Sequence, residues 1–446
     1  MVIDFLLQIW TDNQNREAII WREQTFTYGW LLDRFQHWKR TLENERIAPG
    51  SVVILEADFS PNAVSLFFAL LDHACIVVPL TGAVNARKGE FISIAQGEIL
   101  FAIDKRDSVA ITPLSKIASH PLYDRLKAQH HPGLVLFSSG STGESKAAAH
   151  DMTGLLDKFK LRRSSLRTIT FLLYDHIGGV NTMLHTLSNA GCLVTVTERH
   201  PDAVLEAVEK YRADLLPTSP TFLNLVLMSE AYKRYDLSSL KTISYGTEPM
   251  SEQTLRRLHE LFPAVNLQQT YGLSELGILR SKSKDANSLW VKIGGEGFET
   301  RVVDGILQIK ARSAMLGYLN APSPFTEDGW FNTGDAVEVD GDYVRFLGRR
   351  SEIINVGGEK VYPVEIESVI QELPAVAEVV VYREKNAITG NIVCADVTPG
   401  VELDQKDLSS LIKQHCRERL QKYKVPVKVR IVTGSQHTER FKKSRR

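Results

Sequence analysis

Apolar and polar positions follow two alternating patterns along most of the chain. From residue 133 onward, short β-rich runs are followed by segments whose apolar residues have helical spacing. Examples are GLVLFSS before LLDKFKLRR, TITFLLYD before GGVNTMLHTLSNA and CLVTVT before PDAVLEAVEKYR, and the alternation continues to NLQQTYG. Strands alternating with helices indicate a mainly parallel sheet covered on both faces. Ligands of such sheets bind at the carboxyl ends of the strands.

The remaining segments divide the chain into further regions. Residues 17–80 predict a second α/β layer, with a strand at SVVILEA and helices at LLDRFQHWKRTLENE and AVSLFFALLDHA. After about residue 290, short strands with turn signals indicate a small β-rich subdomain. We therefore predict an α/β protein: residues 1–348 form a large N-terminal domain of parallel-sheet layers with helices plus this subdomain, and residues 349–446 form a small, mobile α+β lid.

Composition excludes several classes of protein. The 446 residues, 43% hydrophobic, suffice for two or three domains, and 53 basic against 53 acidic residues leave no net charge to recruit nucleic acid or an anionic membrane. The four scattered cysteines form no CxxC unit, which favours a reducing compartment. We find neither a signal peptide nor a run of eighteen apolar residues. We expect a cytoplasmic protein with no membrane span and no nucleic-acid partner.

A strand leads directly into a loop suited to phosphate in the segment LVLFSSGSTGESK, residues 134–146. The two glycines let backbone amides converge, the hydroxyls donate to oxyanions and the lysine adds charge. Only two residues separate the glycines, so this is not a P-loop, and a P-loop phosphotransferase is disfavoured. Standing alone, such a loop would more often be an exposed turn. Its phosphate-binding candidates are Ser138, Ser139, Gly140, Ser141, Thr142, Gly143 and Lys146.

Further segments follow this loop in a fixed order: YGTEPM at 245–250, YGLSELG at 271–277, NTGD at 332–335, GRRSEIINVGGEKVYPVEIE at 348–367 and HTERFKKSR at 437–445. The series closely resembles the adenylate-forming superfamily, which contains acyl-CoA synthetases, adenylation domains of nonribosomal peptide synthetases and firefly luciferase. The resemblance covers nearly the whole chain. Its motif style is closest to that of the acyl- and aryl-CoA synthetases.

The resemblance implies a set of nucleotide ligands. Tyr271 would stack on adenine, Asp335 would accept the two ribose hydroxyls, and Arg349 would add a ribose or phosphate contact. Glu275 would coordinate the Mg²⁺ that bridges the ATP phosphates, since a carboxylate suits a hard cation. The other ATP-binding residues implied are Gly246, Thr247, Glu248, Gly272 and Ser274.

The same resemblance assigns the two half-reactions. Lys442, four residues after Thr438, would bind the substrate carboxylate and the bridging phosphate oxygen. Phe441 stands where the family commonly has glycine, so Lys443 remains an alternative. His176 would gate the thiol channel or orient the thiol, although a histidine at a strand end is as often structural.

The residues expected around the acyl group and the thiol complete the site. Gly357 and Gly358 would line the pantetheine channel, and Ser351 occupies the expected hinge position, where the family usually has Asp or Lys. The expected acyl-pocket residues are Ile177, Gly178, Gly179, Phe222 and Ile278, and the two glycines are expected to leave room for substrate.

We therefore predict ATP-dependent activation of a carboxylic acid to acyl-AMP with release of pyrophosphate, followed by acyl transfer to a thiol. Mg²⁺ and Lys442 would offset the repulsion between the acid and the α-phosphate. The acceptor is CoA or the phosphopantetheine of a carrier protein. No charged residue stands out to pair an α-amino group, which favours a fatty or aryl acid. The alternatives are transfer to an amine and a non-catalytic nucleotide-binding regulator.

Overall fold

A computed structural model describes residues 2–139, 145–285, 288–295, 297–400, 404–432, 436–437 and 443. Within these residues, no helix is both long and apolar enough to cross a bilayer.

Side-chain caps begin many of the helices. Thr27, Ser60 and Asp151, for example, each accept a hydrogen bond from a backbone N–H of the first turn of their own helix. The α-helices of the described residues are α1 (Asp4–Asp12), α2 (Tyr28–Asn44), α3 (Pro61–Asp72), α4 (Lys88–Ala95), α5 (Pro121–Gln129), α6 (Met152–Leu156), α7 (Ile177–Leu187), α8 (Pro201–Tyr211), α9 (Pro220–Ser229), α10 (Glu252–Leu261), α11 (Pro363–Ile370) and α12 (Gln405–Arg419).

The strands of the first half of the chain are β1 (Glu17–Trp21), β2 (Gln24–Thr27), β3 (Val52–Glu56), β4 (Ile76–Leu80), β5 (Ile99–Ile103), β6 (Val109–Pro113), β7 (Gly133–Ser139), β8 (Ser145–Asp151), β9 (Arg167–Ile169), β10 (Cys192–Val194), β11 (Leu215–Thr218), β12 (Thr242–Tyr245) and β13 (Asn266–Gln269). Those of the second half are β14 (Tyr271–Leu273), β15 (Gly277–Ser283), β16 (Val291–Gly294), β17 (Phe298–Val303), β18 (Ile306–Ala311), β19 (Gly317–Tyr318), β20 (Phe331–Asp340), β21 (Tyr343–Arg349), β22 (Ile354–Val356), β23 (Glu359–Val361), β24 (Val376–Asn386), β25 (Gly390–Pro399) and β26 (Lys428–Ile431).

Two seven-stranded sheets with parallel centres form the bulk of the N-terminal region. Their orders are β13-β12-β11-β9-β10-β1-β2 and β19-β8-β7-β4-β3-β5-β6. Alternate residues of β3 face opposite sides: Val53 and Leu55 join one buried cluster, and Val52 and Ile54 join another. Helices therefore cover both faces, and the predicted α/β class is confirmed.

A third, antiparallel sheet of order β14-β15-β16-β21-β20-β18-β17 follows. The β-rich subdomain was predicted after about residue 290, whereas this sheet begins at Tyr271, because β14 turns back at once and pairs with β15. A second difference lies at LLDKFKLRR: α6 ends at Leu156, and only a 3-10 turn, Asp157–Phe159, continues it. Leu161 is 54% exposed, so no apolar surface supports a longer helix there.

The C-terminal elements have a hydrophobic core of their own. Ile366 and Ile370 of α11 pack with Val379 and Val381 of β24 and with Ile412 of α12. A small C-terminal domain is therefore present. The boundary between residues 348 and 349 and the mobility of this lid stay predictions, and β21 ends at Arg349.

All four cysteines, Cys75, Cys192, Cys394 and Cys416, are buried as free thiols. Burial raises the pKa of Cys75 and of Cys192 to about 12 and that of Cys416 to about 11. The pKa of Cys394 is raised by the same cause. Because the thiolate is the reactive form, these buried thiols react slowly at neutral pH.

Candidate active site

The carboxyl ends of β12 and β13 lie together, because the two parallel strands are in register with Tyr245 opposite Gln269. Directly after β12, a Cβ on Gly246 would lie 2.6 Å from Oγ1 and 2.7 Å from the carbonyl oxygen of Thr270. Thr247 adopts the left-handed conformation, with φ of 74°. The tight turn explains why glycine is required there, and it brings this segment against the start of the YGLSE stretch.

Tyr271 holds a buried carboxylate. Its hydroxyl donates to Oδ2 of Asp335 at 2.6 Å, and Nε of the half-exposed Arg349 lies 3.3 Å from Oδ1. The ring of Tyr271 stacks on Phe346, with 4.6 Å between the centroids. Burial raises the pKa of Asp335, and the charge of Arg349 opposes that rise. Three of the predicted nucleotide ligands, Tyr271, Asp335 and Arg349, are thus brought together.

Glu275 lies close to this cluster, and its charge contributes to the raised pKa of Asp335. The Glu275 carboxylate is 8% exposed and accepts from Ser138 at 3.2 Å and from the hydroxyl of Tyr318 at 2.7 Å. Both donors meet Oε1, and among the described residues no donor is bonded to Oε2. The Glu275 carboxylate is therefore buried and held in one orientation. Lys146 is nearby, with Nζ 5.3 Å from the centre of the Tyr318 ring.

His150 of β8 holds the backbone of the YGLSE stretch at Ser274. Its Nε2 lies 2.6 Å from the carbonyl oxygen of Ser274, so this nitrogen carries the proton and donates. Burial lowers the pKa of His150 to about 4, and the side chain is therefore neutral at pH 7. Ser274 is accordingly fixed through its backbone. Gly272 of β14 packs tightly against β15, since a Cβ there would lie 2.3 Å from Cδ1 of Ile278 and 2.9 Å from the carbonyl oxygen of Gly277.

His176 begins α7. Its Nδ1 accepts the N–H of Gly178 at 3.1 Å, which makes it the N-terminal cap of the helix. This contact supports the structural interpretation of His176, and its role toward a thiol stays a prediction. The sequence predicted that the two glycines after it leave room for substrate, but protein atoms fill the space beside each of them. A Cβ atom would lie 2.7 Å from Cδ1 of Leu172 at Gly178 and 2.0 Å from the Leu173 carbonyl oxygen at Gly179.

The expected acyl-pocket residues divide between two cores. Ile177 is buried in the core between the two large sheets, and Ile278 packs against the same core. Phe222 is fully buried in a different core, where its ring lies 4.4 Å from that of Phe171. Phe222 therefore belongs to a different hydrophobic cluster from Ile177 and Ile278, and a shared acyl pocket stays a prediction.

A lysine that the sequence did not single out links the elements on which Ile177 and Ile278 lie. Nζ of Lys158 donates to Oδ1 of Asn181 in α7 at 2.6 Å and to the carbonyl oxygen of Ile278 in β15 at 2.8 Å. Burial, together with Arg163 and Arg280, lowers the pKa of Lys158 to about 7. Lys158 therefore ties β15 to α7.

Gly357 and Gly358 form the two-residue turn between β22 and β23. Their φ angles are 59° and 95°, and no atom lies within 4 Å of a Cβ at either position. A turn with two positive φ angles demands glycine-like residues whatever it contacts. The turn is exposed, and its role in a thiol channel stays a prediction.

Five of the predicted site residues lie outside the described residues: Gly140, Ser141, Thr142, Gly143 and Lys442. So does the side chain of Ser139, although its backbone pairs with Ser145 across the β7–β8 ladder. Lys443, the alternative to Lys442, is described. Its Nζ lies 2.8 Å from Oε2 of Glu367, and its N–H donates to Oε2 of Glu248 at 3.2 Å.

Two family models match most of the chain. The family model described as AMP-binding enzyme matches residues 8–305, and that of the AMP-binding enzyme C-terminal domain matches residues 365–442. An indoleacetate–CoA ligase of Aromatoleum aromaticum is 30% identical, with the match covering 93% of this chain and 91% of that protein.

Solved structures share the fold. A crystal structure of an anthranilate–CoA ligase with anthranoyl-AMP has a TM-score of 0.81 at 19% identity, covering 97% of this chain and 93% of that one. An amide bond synthetase from Marinactinospora thermotolerans has a TM-score of 0.77 at 22% identity, covering 99% and 97%. At these identities the likeness shows the fold alone.

Proposed function

This chain belongs to the AMP-binding enzyme family and is an ATP-dependent acid–thiol ligase, and from that premise we propose that it joins an aryl-bearing carboxylic acid to CoA through an acyl-AMP. The observation that carries the proposal is the pair of buried carboxylates, Glu275 and Asp335. Each accepts a hydrogen bond from a tyrosine hydroxyl, Tyr318 and Tyr271 respectively. Buried anions require partners, and the protein contacts leave each carboxylate with oxygen lone pairs for a ligand.

Asp335 binds the ribose diol. Each carboxylate oxygen can accept more than one hydrogen bond, so the contacts to Tyr271 and Arg349 leave lone pairs for two hydroxyls. Those two contacts also fix the plane of the carboxylate. Because the ring of Tyr271 packs on Phe346, adenine stacking uses the opposite face of the ring or its edge.

Glu275 fits Mg²⁺. Its oxygens are hard ligands, and the described residues contain no group of three or more His, Cys, Asp or Glu side chains that would form an all-protein cage. Mg²⁺ commonly takes one or two carboxylates and fills its shell with water and substrate phosphates. Glu275 would hold the Mg²⁺, and the bound ion would supply positive charge to the phosphates.

In the first half-reaction the substrate carboxylate attacks the α-phosphate and no general base is needed, because the acid is ionised at neutral pH. Lys442 supplies positive charge where two anions meet, and Lys146 and Ser138 serve the phosphates. In the second half-reaction the lid turns and the CoA thiol attacks the acyl carbonyl, releasing AMP. Gly357 and Gly358 then line the thiol channel.

The acid is proposed from the relative that acts on indoleacetate together with the apolar surroundings of Ile177 and Ile278. CoA is proposed over a carrier protein because the same relative is named a CoA ligase. We propose a cytoplasmic, reducing location, which agrees with four unpaired thiols.

The test measures both half-reactions separately. Acid-dependent pyrophosphate release is screened over aryl, fatty and amino acids, and thioester is detected by mass spectrometry with CoA, with a phosphopantetheinylated carrier protein and with simple amines. We expect release with an aryl acid and an acyl-CoA product. The variant Lys442→Ala should bind ATP but lose most pyrophosphate release, since the charge acts mainly in the transition state.

Other outcomes decide between the alternatives. ATP binding without turnover on any acid would indicate a nucleotide-binding regulator. An amide product without thioester would indicate transfer to an amine. A thioester formed on the carrier protein alone would replace CoA as the acceptor.

A further inference from the structure

Gln436 and Lys443, near the C-terminus, contact three carboxylates from three different parts of the chain. Glu248 follows β12, Glu367 lies in α11 and Glu378 lies in β24. Lys443 contacts the first two, and the N–H of Gln436 donates to Oε2 of Glu378 at 3.2 Å. We call these three carboxylates the tail dock. A cavity of about 40 Å³ lies among them, between the N-terminal region and the lid.

Glu367 is the deepest of the three. Its side chain is 2% exposed, and its Oε1 accepts the N–H of Val381 at 2.9 Å while Oε2 lies 2.8 Å from Nζ of Lys443. A buried carboxylate is costly without an opposite charge, so Lys443 contributes to the stability of this arrangement. The amine of Lys443 is thereby held on the lid.

Glu248 joins the lid to the N-terminal region. Its Oε1 accepts the N–H of Thr221, at the start of α9, at 2.7 Å, and its Oε2 accepts the N–H of Lys443. Nearby, Nδ2 of Asn224 donates to the carbonyl oxygen of Ala377 at 3.2 Å, which is a second contact between the two parts. Lys443 is therefore anchored to the lid by its side chain and to the N-terminal region by its backbone.

We propose that the tail dock serves adenylation by anchoring Lys443, with Glu367 and Lys443 as positioning residues for the neighbouring Lys442, the reacting amine of the proposed function. The proposal rests on the proposed function and removes the alternative that Lys443 reacts. The amine of Lys443 is engaged by a buried carboxylate, whereas Lys442 is its covalent neighbour. Consecutive Cα atoms are about 3.8 Å apart, so an anchor on Lys443 restrains Lys442 as well.

The central variant is Glu367→Gln. An amide oxygen can still accept the N–H of Val381, so the fold is preserved while the charge that holds Lys443 is removed. We expect the adenylation kcat to fall about ten- to a hundredfold, as for a misplaced reacting group. The KM for ATP should change less than about twofold, and so should thioester formation from preformed acyl-AMP.

Two further variants test the pair itself. Lys443→Arg keeps a cation opposite Glu367 and should retain most adenylation, while Lys443→Met should resemble Glu367→Gln. The matched control is Glu365→Gln on the same helix, which removes a carboxylate that pairs with Lys424 at 2.6 Å, away from the dock. It should leave adenylation unchanged. Thermal unfolding of every variant identifies those that fail to fold.

Each other outcome overturns the proposal. Equal loss of both half-reactions in folded Glu367→Gln would make the dock a general support of the lid. Unchanged adenylation would remove any positioning role. Inactive Lys443→Arg together with active Lys442→Ala would make Lys443 the reacting amine.

A readout that needs no turnover separates this inference from the proposed function. An amine-reactive acetylating reagent, followed by mass spectrometry, reports how accessible Lys443 is. Lys443 should be labelled severalfold faster in Glu367→Gln than in the wild type, because the side chain, 22% exposed when paired, is released. Faster labelling in an enzyme that activates no acid would refute the function and keep the anchor. Unchanged labelling would refute the anchor.

Discussion

Replacing Tyr271 by phenylalanine removes a single hydroxyl from the candidate active site. The ring keeps its stack on Phe346, and only the 2.6 Å hydrogen bond to Asp335 is lost. We expect ATP to bind more weakly, because the buried carboxylate is no longer held in the plane that receives the ribose diol. The substitution thus separates the role of the hydroxyl from that of the aromatic face.

The size of the effect follows from the charge of the acceptor. A hydrogen bond to a charged group contributes about 1.5–3 kcal/mol, which corresponds to roughly ten- to a hundredfold in affinity. This range is an upper bound for binding, since part of the loss falls on the stability of the fold. The hydroxyl also lowers the pKa of Asp335, so its removal raises that pKa further. As the pH falls, the variant should lose ATP affinity at a higher pH than the wild type does.

Titration calorimetry with ATP and with 2′,3′-dideoxy-ATP measures the prediction. In the wild type ATP should bind more tightly than the dideoxy nucleotide. In Tyr271→Phe that difference should shrink, while affinity for the dideoxy nucleotide stays nearly constant. If both nucleotides lose affinity equally, Tyr271 acts on adenine rather than through Asp335, and the reasoning is wrong.

Three further predictions address the lid, pH and packing. Gly358→Trp should spare acid-dependent pyrophosphate release but reduce thioester formation by orders of magnitude, since the exposed turn would block the thiol channel; a normal thioester rate from preformed acyl-AMP would contradict this. Burial lowers the pKa of His150 to about 4 from its ordinary 6.5. Between these pH values the unfolded chain binds more protons than the folded one, so the free energy of unfolding should fall as the pH falls from 6.5 to 4. Burial also lowers the pKa of His185 to about 4, so His185 adds to this fall. In His150→Gln, the free energy of unfolding measured with urea should depend less steeply on pH. Gly179→Ala places a Cβ 2.0 Å from the Leu173 carbonyl oxygen and should destabilise by about 3 kcal/mol or more, whereas Gly89→Ala, with no atom within 4 Å, should raise the melting temperature.

The layers of the fold were predictable because periodicity records which faces are buried. The runs CLVTVT and PDAVLEAVEKYR correspond to β10 and α8, although β10 ends at Val194. Candidate site residues such as Asp335 and Glu275 were predicted from short motifs whose order along the chain is distinctive. Both kinds of signal are local in sequence.

The supporting residues escaped prediction because their partners are distant in sequence. His150 ends the apolar run AAAH of β8 yet bonds to Ser274, 124 residues later. A polar side chain at an inward-facing position of a buried strand was the available signal. Tyr318 and Phe346 gave none, since each fits an ordinary strand, and only folding brings them against Glu275 and Tyr271.

Because the four native cysteines are buried and unreactive, single surface cysteines can be labelled selectively without removing them. Burial keeps all four thiols protonated at neutral pH, so an introduced surface cysteine would react with a maleimide dye before any native one. Ile388 is 93% exposed in the lid, and Ile117 is 86% exposed in the N-terminal region. Dyes on Ile388→Cys and Ile117→Cys would let energy transfer report the lid orientation during turnover, with every native cysteine left in place.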